Sequence, residues 1–67
     1  MTDTVLTGTP TLDSTQAVFI AEGVVDATYE EQVAAWQLLH DTGLAYRLQG
    51  WFGRTAANLI ADGIINA

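Results

Sequence analysis

The stretch TYEEQVAAWQLLHDTG, residues 28–43, carries the strongest structural signal in this chain. Thr28 followed by Glu31 forms a capping-box pattern, in which a hydroxyl and a carboxylate accept two backbone N–H groups at the start of a helix. Gly43 suits the left-handed conformation in which many helices end. Between these residues the apolar side chains recur at helical spacing, which predicts an amphipathic helix. Its buried face would carry Tyr29, Val33, Trp36 and His40, flanked by Ala35 and Leu39.

A shorter helix is predicted upstream. Asp13 with Gln16 three residues later is a second capping pattern, and Gly23 is placed to end the helix that Asp13 starts. The intervening sequence is apolar nearly all round the helix. We therefore expect this helix to lie buried between other elements.

Two further helices are predicted downstream. The sequence indicates a short helix over 44–49, a break at Gly50 and a last helix over 54–62. We expect Gly63 to end the last helix and residues 64–65, both isoleucine, to fold back over the core. The apolar stripe of the last helix would comprise Phe52, Ala56, Leu59 and Ile60.

The first twelve residues, MTDTVLTGTPTL, differ in composition from the rest. A threonine-rich segment with one glycine and one proline indicates an extended arm. The sequence leaves open whether Val5 and Leu12 anchor this arm on the core or whether it reaches a neighbouring chain. The predicted fold class is all-α: a small single domain of three to four short helices over 13–67, after an extended N-terminal arm over 1–12.

The charge distribution narrows the class of partner. The formal net charge is -6, lysine is absent, and residues 1–42 carry seven acidic groups and no basic one. Two arginines cannot supply the several phosphate contacts on which nucleic-acid affinity rests. An acidic surface also repels anionic membranes and suits a basic protein. We expect no nucleic-acid partner and no membrane partner, although the acidity also has the simpler interpretation that it keeps the protein soluble.

The expected location is the cytoplasm. The longest strongly apolar run, AVFIA at 17–21, is far too short to span a bilayer. The N-terminal sequence lacks the basic region that is typical of a secretion signal. Cysteine is absent, so disulfides and thiolate metal sites cannot reinforce the fold. These features together predict a soluble protein.

The residue types needed for catalysis are sparse. His40 is the single histidine and Ser14 the single serine, so a hydrolytic triad rests on composition alone. Ser14 lies beside a helix cap, where hydroxyl groups are common for structural reasons. His40 and Asp41 diverge by about 100° on a helix, and no second histidine or cysteine completes a tetrahedral metal site. We expect no catalytic residue, no metal and no cofactor, and hence a protein that is not an enzyme.

The window LQGWFGRTAANLIADG, residues 48–63, combines aromatic side chains, glycines and an arginine. The favoured interpretation is structural: Gly50 and Gly53 turn the chain while the two aromatic rings fill the core. An anion held at the helix start and a partner-binding surface remain open alternatives. An arginine at a helix start opposes the dipole, so it is expected to meet a carboxylate of this chain or of a partner. The candidate partner-binding residues are Trp51, Arg54, Arg47 and Asn58.

Residues 41–65, DTGLAYRLQGWFGRTAANLIADGII, resemble a family of short uncharacterised proteins that tailed bacteriophages encode. The shared pattern is DTGLA, an aromatic residue, LQG, a second aromatic residue, GRTA and LI, with a final glycine, all at matching spacing. The threonine-rich arm has no counterpart in that pattern. The resemblance implies a phage origin and expression inside a bacterial host, and it implies no activity.

These features lead to a hypothesis and two alternatives. The first is a small acidic, non-enzymatic phage protein that binds a host or phage protein and inhibits or redirects host machinery. The second is a virion or assembly component, laced together by the N-terminal arm as a homo-oligomer. The third is an inhibitor that mimics DNA, with its carboxylates standing in for phosphates.

Overall fold

The computed structural model describes residues 12–67, which form three α-helices and one 3₁₀ turn. Helix α1 spans Ser14–Glu22, α2 spans Tyr29–Asp41 and α3 spans Gly50–Ala61, with the 3₁₀ turn at Leu44–Tyr46 between α2 and α3. No strand occurs within 12–67, so the all-α prediction is confirmed. Most of the predicted arm lies outside the described residues, including Val5. Its last residue, Leu12, is half-buried against the core.

The starts of α1 and α2 follow the predicted caps. An Asp13 carboxylate oxygen accepts the N–H of Gln16 at 2.8 Å. At α2 the Thr28 hydroxyl accepts the N–H of Glu31 at 3.1 Å, and the Glu31 carboxylate accepts the N–H of Thr28 at 2.8 Å. The capping box is therefore complete, and it fixes where α2 begins.

The end of α3 returns the chain to the core. Gly63 has a φ of 75°, and its N–H donates to the Ile60 carbonyl at 3.0 Å. The N–H of Ile64 donates to the Leu59 carbonyl at 2.8 Å, which completes a Schellman motif. Ile65 is then buried at 2% exposure, so the predicted fold-back of residues 64–65 is confirmed.

The segment after Ile65 is held by a side-chain amide. The Gln37 amide nitrogen donates to the Asn66 carbonyl at 2.8 Å, and the Gln37 amide oxygen accepts the Asn66 N–H at 2.8 Å. The same Gln37 nitrogen also donates to Asp41 at 3.0 Å. The Gln37 amide thereby pairs with the backbone much as a neighbouring strand would, and it ties the C-terminal segment to α2.

The core lies where α2, the 3₁₀ turn and α3 meet. Its largest members are Trp36 and Leu39 of α2 and Phe52 of α3. The prediction that α1 is buried is wrong, because α1 packs mainly against α2 and its other side faces solvent. Within α1 only Ala17 is buried, and Phe19 is 40% exposed. Tyr29 was also expected on the buried face of α2, and it is 68% exposed.

The region between α2 and α3 also departs from the prediction. The expected helix over 44–49 is a single 3₁₀ turn. Helix α3 begins at Gly50 instead of residue 54, so Gly50 and Gly53 are helical and do not turn the chain. A β-carbon at Gly53 would lie 3.5 Å from a Tyr46 ring carbon, which shows how closely the 3₁₀ turn approaches α3. Glycine in a helix costs about 1 kcal/mol, and burial of Phe52 offsets that cost.

Candidate interaction surface

Trp51 belongs to the contact between α2 and α3. Its ring stacks on Phe52 with the centroids 3.9 Å apart, and it meets Trp36 edge to face at 6.2 Å. Its indole N–H donates to the Gln49 side chain at 3.3 Å. The ring is half-buried. Three aromatic rings thus hold α3 on α2, and most of what Trp51 contacts is the protein's own core.

The three polar candidates lie outside that aromatic cluster. Arg54 and Asn58 are exposed one turn apart on the same side of α3, and Arg47 is exposed just after the 3₁₀ turn. The Arg54 guanidinium folds back toward the helix start, because its Nη1 would lie 3.0 Å from a β-carbon built at Gly50. The structure therefore brings Arg54 and Asn58 together on one face. A role in partner binding, and a contact between Arg54 and a carboxylate, stay predictions.

The potential catalytic residues have ordinary structural surroundings. His40 Nδ1 lies 2.6 Å from the Tyr46 hydroxyl, with the two rings edge to face. This bond ties the last turn of α2 to the 3₁₀ turn. Ser14 is the exposed first residue of α1. Within the described part of the chain, no group of three or more His, Cys, Asp or Glu side chains is placed to hold a metal ion.

The most exposed apolar side chains lie at the connection between α1 and α2, which we call the α1–α2 corner, residues 19–29. Four of the five large apolar side chains that are exposed within 12–67 belong to this corner. Val24 is 66% exposed and follows Gly23, whose left-handed backbone ends α1. The α1–α2 corner therefore presents more apolar surface than the start of α3 does. The four side chains are Phe19, Val24, Val25 and Tyr29.

A groove overlaps this corner and shares Ile20, Val25, Asp26 and Thr28 with it. The groove has a volume of about 820 Å³ and runs between the first turns of α1 and α2. Its apolar lining comprises Leu12, Ile20, Val25 and Ala34. Its polar lining comprises Gln16, Thr28 and four acidic residues, Asp13, Asp26, Glu30 and Glu31. We call it the acidic groove.

Comparison with known protein families places the chain in one of them. A family described as Domain of unknown function (DUF7417) matches residues 16–67. The chain belongs to this family. The matched range includes the α1–α2 corner, the start of α3 and most of the acidic groove, whose Leu12 and Asp13 lie outside it. No curated protein and no solved structure matches the chain.

The length and apolar character of the described helices bear on the membrane prediction. None of the helices within residues 12–67 combines the length and apolar character that crossing a bilayer requires. The longest of them, α2, has thirteen residues, whereas a spanning helix needs about 20.

The α1–α2 corner did not stand out in the sequence, although one signal for it exists. Val24 and Val25 follow a helix-ending glycine and precede Asp26, so they lie in a connection and not on a helix face. Two adjacent β-branched apolar residues in such a connection have no periodic face on which to be buried. The position of Val24 and Val25 directly after Gly23 was therefore a signal that both side chains are exposed.

Proposed function

We propose that this protein acts by binding a host or phage protein, without catalysis, in the bacterial cytoplasm during infection by a tailed bacteriophage. The phage setting rests on the resemblance of residues 41–65. The observation that carries the binding role is the α1–α2 corner, where Phe19, Val24, Val25 and Tyr29 are all exposed. Inhibition or redirection of host machinery is the use that such binding would serve.

The size of the chain gives this exposure its weight. A domain of 67 residues buries only about 60% of the surface that its unfolded chain exposes. Four large apolar side chains lie outside the core and add little to the stability of a domain this small. A partner that covers them recovers roughly 25 cal/mol for each Å² of apolar surface and stabilises the folded state by mass action.

The test is affinity capture from host lysate with matched variants. Val24→Ser combined with Tyr29→Ser removes apolar surface from the corner, and both side chains are more than half exposed. The control, Arg54→Gln combined with Asn58→Ser, alters the exposed face of α3. We expect the wild type and the control to retain a stoichiometric partner that the corner variant loses. Recovery of no stoichiometric partner by the wild type would count against the proposal, and loss in the control alone would move the site to α3.

The assembly alternative predicts a different result in the same preparation. If the corner covers a second copy of this chain, light scattering gives a defined oligomer, and the corner variant is a monomer. Mass spectrometry of purified phage particles adds a second criterion. A monomer that is absent from particles excludes the assembly role and leaves the binding role standing.

A further inference from the structure

The acidic groove carries information about the chemistry of the partner. We call its four apolar lining residues the floor and its four acidic ones, Asp13, Asp26, Glu30 and Glu31, the rim; no lysine or arginine is among the lining residues. We infer that the groove binds a cationic amphipathic segment of the partner protein, in which lysine or arginine side chains flank large apolar ones. This inference rests on the proposed function and specifies its partner class.

The charge balance of the groove favours a cation. The first turns of α1 and α2 both border the groove, and each helix start contributes about half a positive charge. Four carboxylates outweigh these two dipoles, so roughly three negative charges remain. Asp13 and Glu31 are held by the helix caps, whereas Asp26 and Glu30 belong to neither cap. The caps thus account for only half of the carboxylates, and Asp26 and Glu30 are left to meet a cation of the partner.

Binding in the groove requires contacts with the apolar floor, because charge alone does not hold a partner there. Leu12 and Ile20 pack against the core, so their positions are fixed before a partner arrives. Val25 is 38% exposed, and Ala34 has a small side chain that leaves room beside it. Physiological salt screens exposed charges over about 8 Å. The carboxylates therefore select the partner and speed its approach, while contacts with the floor hold it.

The charge of the groove disfavours two other occupants. Residues 1–11 of this chain contain Asp3 and no lysine or arginine, so they offer no cationic side chain to the groove. A second copy of the chain offers only Arg47 and Arg54. A partner segment with several cations complements the rim better than either.

The experiment is calorimetric titration of the full chain with synthetic peptides of about four helical turns. One peptide contains only leucine and lysine at amphipathic spacing, a second replaces leucine by serine, and a third replaces lysine by glutamate. The groove variant is Asp26→Asn with Glu30→Gln. The control, Asp41→Asn with Asp62→Asn, has the same net charge and alters exposed carboxylates outside both the groove and the α1–α2 corner. Val25→Ser tests the floor.

Of the three peptides, we expect only the leucine–lysine peptide to bind. Its affinity should fall roughly threefold to tenfold for the groove variant and change little for the control. Val25→Ser should also lower the affinity of this peptide at physiological salt. Equal weakening by groove variant and control would show a response to net charge and overturn the inference. Absence of binding, or a dimer that the groove variant dissociates, would also overturn it. Capture of a lysate partner that depends on Val24 and Tyr29 would leave the proposed function intact in those cases.

Discussion

The start of α3 and the α1–α2 corner are similar in composition and opposite in environment. Residues 50–56 place Trp51 and Phe52 against Trp36, in the contact that joins α2 and α3. Residues 19–29 place Phe19 and Tyr29 in solvent. Both segments contain two aromatic residues and at least one glycine next to an apolar side chain. The difference comes from neighbours: α3 has the core on its apolar side, whereas the apolar side chains of the corner lie on the solvent-facing side of α1 and α2.

Removal of one ring from each region gives the largest contrast. Phe52→Ala should lower the free energy of unfolding by about 3–5 kcal/mol, since Phe52 is 2% exposed. Tyr29→Ala should change it by less than about 0.5 kcal/mol, because Tyr29 is 68% exposed. Urea unfolding followed by far-ultraviolet circular dichroism measures both. Phe52→Leu, at a cost of less than about 1.5 kcal/mol, provides a folded variant if the alanine variant does not fold. Equal losses in the two regions would remove the contrast.

The C-terminal segment should behave like the start of α3. Gln37→Ala removes both hydrogen bonds to the Asn66 backbone and should destabilise the protein by about 1–2 kcal/mol. Hydrogen exchange at the Asn66 amide should accelerate more than exchange in the middle of α2. An unchanged Asn66 rate would mean that the pairing with Gln37 contributes nothing in solution.

Two glycines sharpen the comparison around α3. Gly43 has a φ of 78°, so Gly43→Ala should destabilise the protein by roughly 1 kcal/mol. Gly53 lies inside α3, and its β-carbon would make only ordinary contact, so Gly53→Ala should stabilise by about 0.5–1 kcal/mol. Thermal unfolding of the two variants measures both changes in stability. Destabilisation by Gly53→Ala would restore the sequence-based interpretation that Gly53 turns the chain.

A small gain in stability is expected from a substitution at the N-cap of α3. Gln49 occupies the N-cap position without a side-chain bond to the helix backbone, and the first turn holds no acidic residue. Gln49→Asp should add a cap and a favourable charge but shortens the side chain that accepts the Trp51 indole N–H, so the net gain should be at most about 0.5 kcal/mol. The measurement is the urea midpoint with Gln49→Glu as a matched charge control. If the two acids stabilise equally, the gain comes from the dipole alone.

Local features of this fold were predictable from the sequence. The caps at Asp13 and Thr28 and the fold-back after Gly63 each depend on residues within one or two turns, so a short window contains the cause. The start of α3 was missed because the glycines at 50 and 53 argue against a helix by propensity. Packing of Phe52 against Trp36 outweighs that local preference.

Features that depend on distant packing were not predictable in the same way. Whether Trp51, Phe19 or Tyr29 is exposed depends on which elements meet, and helical spacing does not fix that. The acidic groove is assembled from residues between Leu12 and Ala34 only once α1 packs on α2. In the sequence, Asp13 and Glu31 each have a sufficient local explanation as part of a helix cap, and nothing there indicates that they line one groove.

The edge-to-face contact between Trp36 and Trp51 has a practical consequence for following this protein in solution. Both indoles lie in the contact between α2 and α3, and neither lines the acidic groove or belongs to the α1–α2 corner. Their fluorescence should therefore change when α3 separates from α2. It should stay nearly unchanged when a partner occupies the α1–α2 corner. Tyr29, alone among the aromatic hydroxyls, stands at the corner itself. The chain thus carries an indole reporter for its fold that lies away from its proposed binding surface.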